Sequence, residues 1–252
     1  MPVDGSLSKF TETLEDGQPW PRPLCPKCQE GYIRFAEPKM NENTSSLAAH
    51  QHEAWDPEWI EGTFVSEGTC ENPGCGVTAY ATGTYEVRYS NHIDLGASDP
   101  YSAFYTVGQI YPPPLMMSIP AAAPESVREG IVRASRVLLT DPGLAATALR
   151  GTVERFLTTE GVRRQTADGG FRAVHLRLDE WRNADDSREQ VGHLLSAVKW
   201  LGNAGTHEDA DLTVLEVLEG ATLLDEAFQR WFRGPDLDAK ALAIIQAKGP
   251  AR

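Results

Sequence analysis

The chain has 252 residues, of which 41% are hydrophobic and 23% charged, with a formal net charge of −13. That size and mix suit a soluble globular protein of one large or two modest domains, and no run approaches the ~20 apolar residues of a membrane helix. The acidity is uneven: residues 1–120 hold 6 Lys/Arg against 16 Asp/Glu, and residues 121–252 hold 17 against 20, which excludes coating of duplex nucleic acid by bulk charge.

The first 24 residues read as a flexible arm. Asp4, Glu12, Glu15 and Asp16 stand where a signal peptide would be basic and apolar, so a cytoplasmic protein is expected. Pro19, Pro21 and Pro23 surround Trp20 and argue against regular pairing.

Cys25-Pro26-Lys27-Cys28 comes next, and later Cys70-Glu71-Asn72-Pro73-Gly74-Cys75; these are the 4 cysteines of the chain. Two knuckles supply four thiolates, the tetrahedral set that a structural zinc ion takes. Proline and glycine in the knuckles suit tight turns that aim two sulfurs at one point. Two disulfides are the alternative, which a reducing compartment disfavours. His50 and His52 in the long insert between the knuckles read as surface loop residues. Four protein sulfurs leave no open coordination position, so catalysis at the metal is not expected. Replacing Cys70 is expected to unfold this front part while the helices persist.

Around the knuckles, residues 32–35, 60–65 and 77–89 are strand-like. The last run alternates at Tyr85, Val87 and Tyr89. They predict a zinc-ribbon-like antiparallel β module over residues 25–98. Residues 99–124 carry six prolines among Tyr101, Phe104, Tyr105, Ile110, Met116 and Met117, and read as an apolar Pro-rich strap packed on the helical part. A docking segment for a partner's groove is the alternative.

Helical periodicity then takes over to residue 234. Val127, Ile131, Ala134 and Leu138 mark a first face. Asp141-Pro142 reads as an N-cap with proline at the first helical position, opening a helix with Arg150 and Glu154 on one face. A short helix is expected at residues 176–181. Asp186 with Glu189, and Thr213 with Glu216, have capping-box spacing. The helix opened at Asp186 is expected to end at Gly202, with Gly202 and Gly205 free to take positive φ. Residues 121–188 hold eleven Arg and ten acids, read as ion pairs on solvated faces. The fold class is therefore α+β: a metal-pinned antiparallel module, an up-down helical bundle over 125–234 and a tail over 235–252.

Two segments of the bundle resemble a known family. Leu149-Arg150-Gly151-Thr152-Val153-Glu154 is similar to the L-R-x-x-x-E helix of the bacterial family called domain of unknown function 4145. Leu201-Gly202-Asn203-Ala204-Gly205-Thr206-His207 is similar to its G-N-x-x-x-H corner. Tyr111-Pro112 and the upstream Cys-x-x-Cys module also look like common members. The resemblance covers about residues 105–232. It implies a HEPN-like helical domain, found in restriction and anti-phage settings and similar to HEPN ribonucleases that act as dimers. Those enzymes carry an Arg, a polar residue and a His four to six residues beyond the Arg, for proton transfer and phosphorane stabilisation. With Asn203 and His207 aligned to that pattern, Gly202 stands where the Arg belongs and Lys199 is the nearest upstream cation. Arg150 could substitute.

The plain reading of Asn203 and His207 is structural. Asn203 would serve free backbone groups at a helix end, His207 would donate to a carbonyl or to Glu154, and Arg150–Glu154 would be an internal polar pair. The leading expectation is a non-enzymatic, zinc-containing binding or regulatory protein of a bacterial defence or stress system. Its partner would be a protein or a nucleic acid, and a homodimer could form through the bundle. A metal-independent ribonuclease using His207, and an acidic neutraliser of a basic toxin or nuclease, are the alternatives.

Overall fold

The computed structural model describes residues 5–90, 100–206 and 211–232, together with 242, 244–246 and 248. Its sheet is organised on β4 (Glu61–Cys70), which alternates exposed and buried positions without a break and buries Gly62, Phe64, Ser66, Gly68 and Cys70. One covered face demands that period of two. β5 (Thr78–Tyr89) pairs antiparallel with β4 and buries Ala79, Ala81 and Tyr85. β6 (Tyr101–Tyr111) pairs antiparallel with β5. A register shift at Thr82/Gly83 places one extra residue in β6, and the buried positions change parity from Tyr105 and Val107 to Ile110. An inserted residue exchanges the two faces of a strand. The remaining strands are short: β1 (Leu14–Glu15) lies on β6, while β2 (Ile33–Phe35) and β3 (Lys39–Glu42) lie on successive parts of β4. A short α-helix, α1 (Thr44–Ala49), and a 3-10 helix at Pro57–Trp59 sit in the insert between the knuckles.

Residues 5–24 do not form a flexible arm. They contain a 3-10 helix at Leu7–Thr11 and the strand β1. Leu7 and Phe10 are buried in the main core. Trp20 packs on Phe35, Phe64 and Tyr105, with ring centroids 5.7, 5.7 and 5.8 Å away. Prolines on either side of Trp20 limit backbone pairing but do nothing to prevent burial of its ring.

The strap expected over 99–124 is likewise two different things. Its first part is β6, which pairs with β5 along its length apart from the bulge and with β1 at Phe104 and Tyr105. The prolines fall outside it, at Pro100 and from Pro112 onward, because a paired strand needs its backbone N–H groups. Only residues 112–124 run irregularly over the helices. There Met116 and Met117 are buried. The Met116 amide donates to Ser135 Oγ at 3.1 Å, and Ser118 Oγ donates to Asp225 Oδ1 at 2.6 Å.

The helices are α2 (Glu125–Val137), α3 (Pro142–Thr159), α4 (Val174–Asn183), α5 (Glu189–Ala204) and α6 (Val214–Trp231). α3 packs against all four others. It starts as its sequence predicts, with Asp141 Oδ1 accepting from the Leu144 amide at 2.8 Å and Pro142 in the first turn. Thr213 and Glu216 form the expected capping box. The box expected at Asp186 and Glu189 does not form. Asp185 accepts from the Ser187 amide at 2.8 Å instead, and a 3-10 turn at Asp186–Arg188 leads into α5.

The fold is thus α+β: an antiparallel sheet with a helical region after it. One core joins the two, running from Phe64, Tyr105 and Val107 through Met116 to Ile131, Leu149 and Phe156. A small second cluster of Cys25, Ile33, Cys70 and Ala79 lies at the cysteine end of the sheet. No described helix is long and apolar enough to cross a membrane. The expected boundary at residues 98/99 lies outside the described residues, and the expected tail over 235–252 does so in large part.

Candidate metal centre and helical cleft

Each cysteine pair is set by a tight turn beside a strand end. In the first knuckle the Cys25 amide donates to Gly31 O at 2.8 Å, the Gln29 amide donates to Cys25 O at 3.0 Å, and Gln29 takes a φ of 53°. In the second, Cys70 closes β4, its amide donating to Val77 O at 3.0 Å. The Cys75 amide donates to Asn72 O at 2.9 Å, and Asn72 Oδ1 accepts from the Gly74 amide at 3.0 Å. Gly76, at φ 62°, makes the left-handed step that an L side chain resists.

These turns bring the four sulfurs within 4.8 Å of one another. Cys25 Sγ and Cys75 Sγ are 3.7 Å apart, as are Cys28 Sγ and Cys70 Sγ. A disulfide needs ~2.05 Å. Sulfurs held ~2.3 Å from a tetrahedral metal stand ~3.8 Å from each other. The spacing fits a metal and the thiols are free, so the group can hold a metal ion. The backbone N–H groups of Gly31 and Glu30 lower the Cys28 thiol to about 6, while burial pushes Cys70 up to about 12. His50 and His52 stand elsewhere: His50 Nε2 is 2.7 Å from Glu42 Oε1, and His52 packs on Trp59.

The second feature is a cleft of about 570 Å³ among α3, α4 and α5. From α5 it is bordered by Ser196, Lys199 and Asn203, which with Gly192 have the i, i+4, i+7, i+11 spacing of one helical face. Two arginines cross that helix over its glycines. The Arg150 stem of α3 lies over Gly202, where an added Cβ would come 2.4 Å from Arg150 Cβ and 2.8 Å from Ala146 O. The Arg182 stem of α4 lies over Gly192, at 2.9 Å from such an atom. Both arginines border the cleft, as do Asp179, His175 and the rings of Trp200 and Phe171.

Charges in the cleft are only partly matched. Arg150 Nη2 is 3.5 Å from Glu154 Oε1, and the buried Arg150 Nε has no hydrogen-bond partner. Arg182 Nη2 is 3.1 Å from Asp179 Oδ1. Lys199 is 5% exposed, and its Nζ lies 3.1 Å from the centroid of the Trp200 ring. Burial lowers the Lys199 ammonium first, Arg150 lowers it further, and Asp179 opposes them.

The two resembling segments therefore meet at this cleft, with Arg150 above Gly202 and Asn203 beside it. Gly202 does not end its helix: α5 continues to Ala204. Nor do Gly202 and Gly205 take positive φ; Gly205 has φ −63°. Both are small because α3 and α5 approach closely, and an atom added at Gly205 would come 2.4 Å from Gly143 O. At this corner it is the backbone carbonyl of Asn203 that accepts, from Thr206 Oγ1 at 2.7 Å and from the Thr206 amide at 3.0 Å. His207, the catalytic candidate, lies outside the described residues. Lys199, Arg182 and Trp200 do not stand out as a site in the sequence. The signal that could have found them is the polar stripe on an otherwise apolar helix.

Gly202→Ala is expected to destabilise the protein by ~3 kcal/mol, because the added methyl meets backbone at Ala146 as well as the Arg150 stem. Urea unfolding checks this; a loss below ~0.5 kcal/mol would show that the helices separate freely.

The architecture and these two sites define an α+β protein with a four-cysteine group able to hold a metal ion and a helical cleft lined by cations. In sequence, residues 13–107 match the model of the family described as domain of unknown function DUF8608. Residues 132–248 match that of domain of unknown function DUF4145. Comparison with curated proteins and with solved structures gives no match.

Proposed function

We propose that this is a non-enzymatic binding protein, with structural zinc in the four-cysteine group and its recognition surface at the cleft among α3, α4 and α5. The observation that supports this most is the donor set. Four sulfurs within 4.8 Å supply a whole tetrahedron from the protein, which gives water or substrate no place on the metal. Soft thiolates in that arrangement select zinc, or iron as the main competitor. The metal then fixes the end of the sheet, and recognition falls to the helices. A role in bacterial defence rests on the family resemblance alone.

Elemental analysis of the purified protein should give about one zinc per chain. The same preparation, incubated with single-stranded RNA, should leave it intact. RNA cleavage that disappears in a folded His207→Ala variant would replace this reading with the ribonuclease one. Iron in place of zinc would change the metal assignment.

A further inference from the structure

We infer that the cleft among α3, α4 and α5 binds a phosphomonoester that carries a flat ring, of which a mononucleotide is the simplest example. This rests on the reading of the cleft as the recognition surface and specifies what it recognises.

The first ground is Lys199. The Lys199 residue is 5% exposed, and a lysine buried along its stem is costly to keep charged without a counter-charge. Among the described residues, Lys199 makes no ion pair or hydrogen bond, and its contact is with the Trp200 ring. Its position on the cleft wall makes it available to an entering anion.

The second ground is convergence. Arg150 and Arg182 reach the same cleft from different helices, each with its stem laid on a glycine of α5. Those close approaches hold the stems in place, so two guanidinium groups are preset around Lys199 instead of being ordered on binding. Arg150 is paired with Glu154 and Arg182 with Asp179, so the three cations leave a net positive charge, carried by Lys199, that suits an anionic group. Burial and the neighbouring Arg150 both act against the Lys199 charge, and an anion would relieve both. Arg150 Nε, buried and without a partner, is a further donor beside it.

The third ground is the rim. Trp200 is 66% exposed and Phe171 72%, and both rings border the cleft. Exposed rings next to cations suit a ligand with a charged end and a flat apolar end. A volume of about 570 Å³ lies within the usual range for small-molecule sites. A simple carboxylate would leave the rings unused.

The test uses the full-length, metal-loaded protein with AMP, adenosine, inorganic phosphate and a 5′-phosphorylated single-stranded RNA of about ten nucleotides. Binding is followed by calorimetry and tryptophan emission. AMP should bind at least ~10-fold more tightly than adenosine or phosphate alone, as expected when charge and ring both contribute. Lys199→Met should weaken AMP at least ~10-fold while the melting temperature stays level or rises, because methionine keeps the stem and removes a buried charge. Trp200→Leu should weaken AMP and leave phosphate binding unchanged. If Lys199→Met does not fold, Arg182→Gln should weaken AMP several-fold.

RNA binding equal to that of AMP identifies a free small molecule as the source. Much tighter RNA binding with a salt slope of about −2, as ~3 phosphate contacts on a single strand give, identifies a strand end. Either supports the site. Equal binding of adenosine and AMP, wild-type affinity in Lys199→Met, or no binding of AMP or RNA at millimolar concentration overturns it. That failure leaves the non-enzymatic reading intact if RNA remains uncut. RNA cleavage overturns the non-enzymatic reading without touching the ligand class.

Discussion

Cys70→Ser is expected to yield a protein without its metal and with Tm lowered by ~8–16 °C. The range comes from ~4 kcal/mol for loss of a metal site and ~2–4 °C per kcal/mol in a chain of this size. Cys70 ends β4 and is buried with Cys25, Ile33 and Ala79. Its sulfur stands 3.7 Å from that of Cys28. A serine hydroxyl is a hard, protonated oxygen and cannot replace a thiolate in a four-sulfur set. The damage should be local. The cysteine end has its own small cluster, whereas Phe64, Tyr105 and Ile110 belong to the core shared with the helices. New protease cuts should therefore fall in the two knuckles while the far-UV CD signal is largely kept. The sequence points to a wider loss, of the whole front part; the common core confines it. Unaltered metal content and unaltered Tm would refute the assignment of Cys70 as a ligand.

Phe156→Ala is expected to cost ~3–5 kcal/mol, the range for removing a buried aromatic ring. Phe156 is fully buried on α3. Its ring meets those of Trp181, Phe228, Trp231 and Phe232, at centroid distances of 5.2, 5.5, 6.0 and 5.9 Å. The two indoles cannot readily move in to fill the space, because both are tied elsewhere. Trp181 Nε1 and Trp231 Nε1 both donate to Glu160, at 3.3 and 3.0 Å. The Arg188 guanidinium lies over both indoles, 5.2 and 5.5 Å from their centroids. Urea unfolding should show the loss, and tryptophan emission should move to the red as Trp181 and Trp231 loosen. Metal content should not change, which separates this defect from that of Cys70→Ser. A loss under ~1 kcal/mol would mean that the cluster closes over the gap.

The helices were largely legible in the sequence, because their signals are local. Asp141-Pro142 and the Thr213–Glu216 pair fix helix starts through side chains within three residues of the backbone groups that they cap. The four-cysteine group was legible for a similar reason, since each pair is short-range even though the two pairs are far apart. The sheet was only half legible. β5 announces itself by alternating aromatic and β-branched residues, but β4 buries Gly62, Ser66 and Gly68, which carry almost no hydrophobic signal. β6 was hidden by the prolines that flank it. The cleft was the least legible part. Its residues come from three helices, and the register that brings Arg150 over Gly202 is a property of helix packing, not of either segment alone. Gly202 looked like a missing cation in a linear pattern; in space it is the floor on which a cation from another helix rests.

The 3-10 helix at Leu7–Thr11 has a consequence for the order of events during synthesis. Leu7 and Phe10 enter the core where the turn touches β6 and α6. The residues of α6, Val214–Trp231, are made some two hundred residues later. Until that helix leaves the ribosome, these two apolar side chains have no completed place to go. The sheet can pair early, but its beginning must wait for the far end of the chain. Such long closures slow folding and prolong the exposure of sticky segments. The acidic residues Asp4, Glu12, Glu15 and Asp16, close to that turn in sequence, give the waiting segment a charge that keeps nascent chains apart.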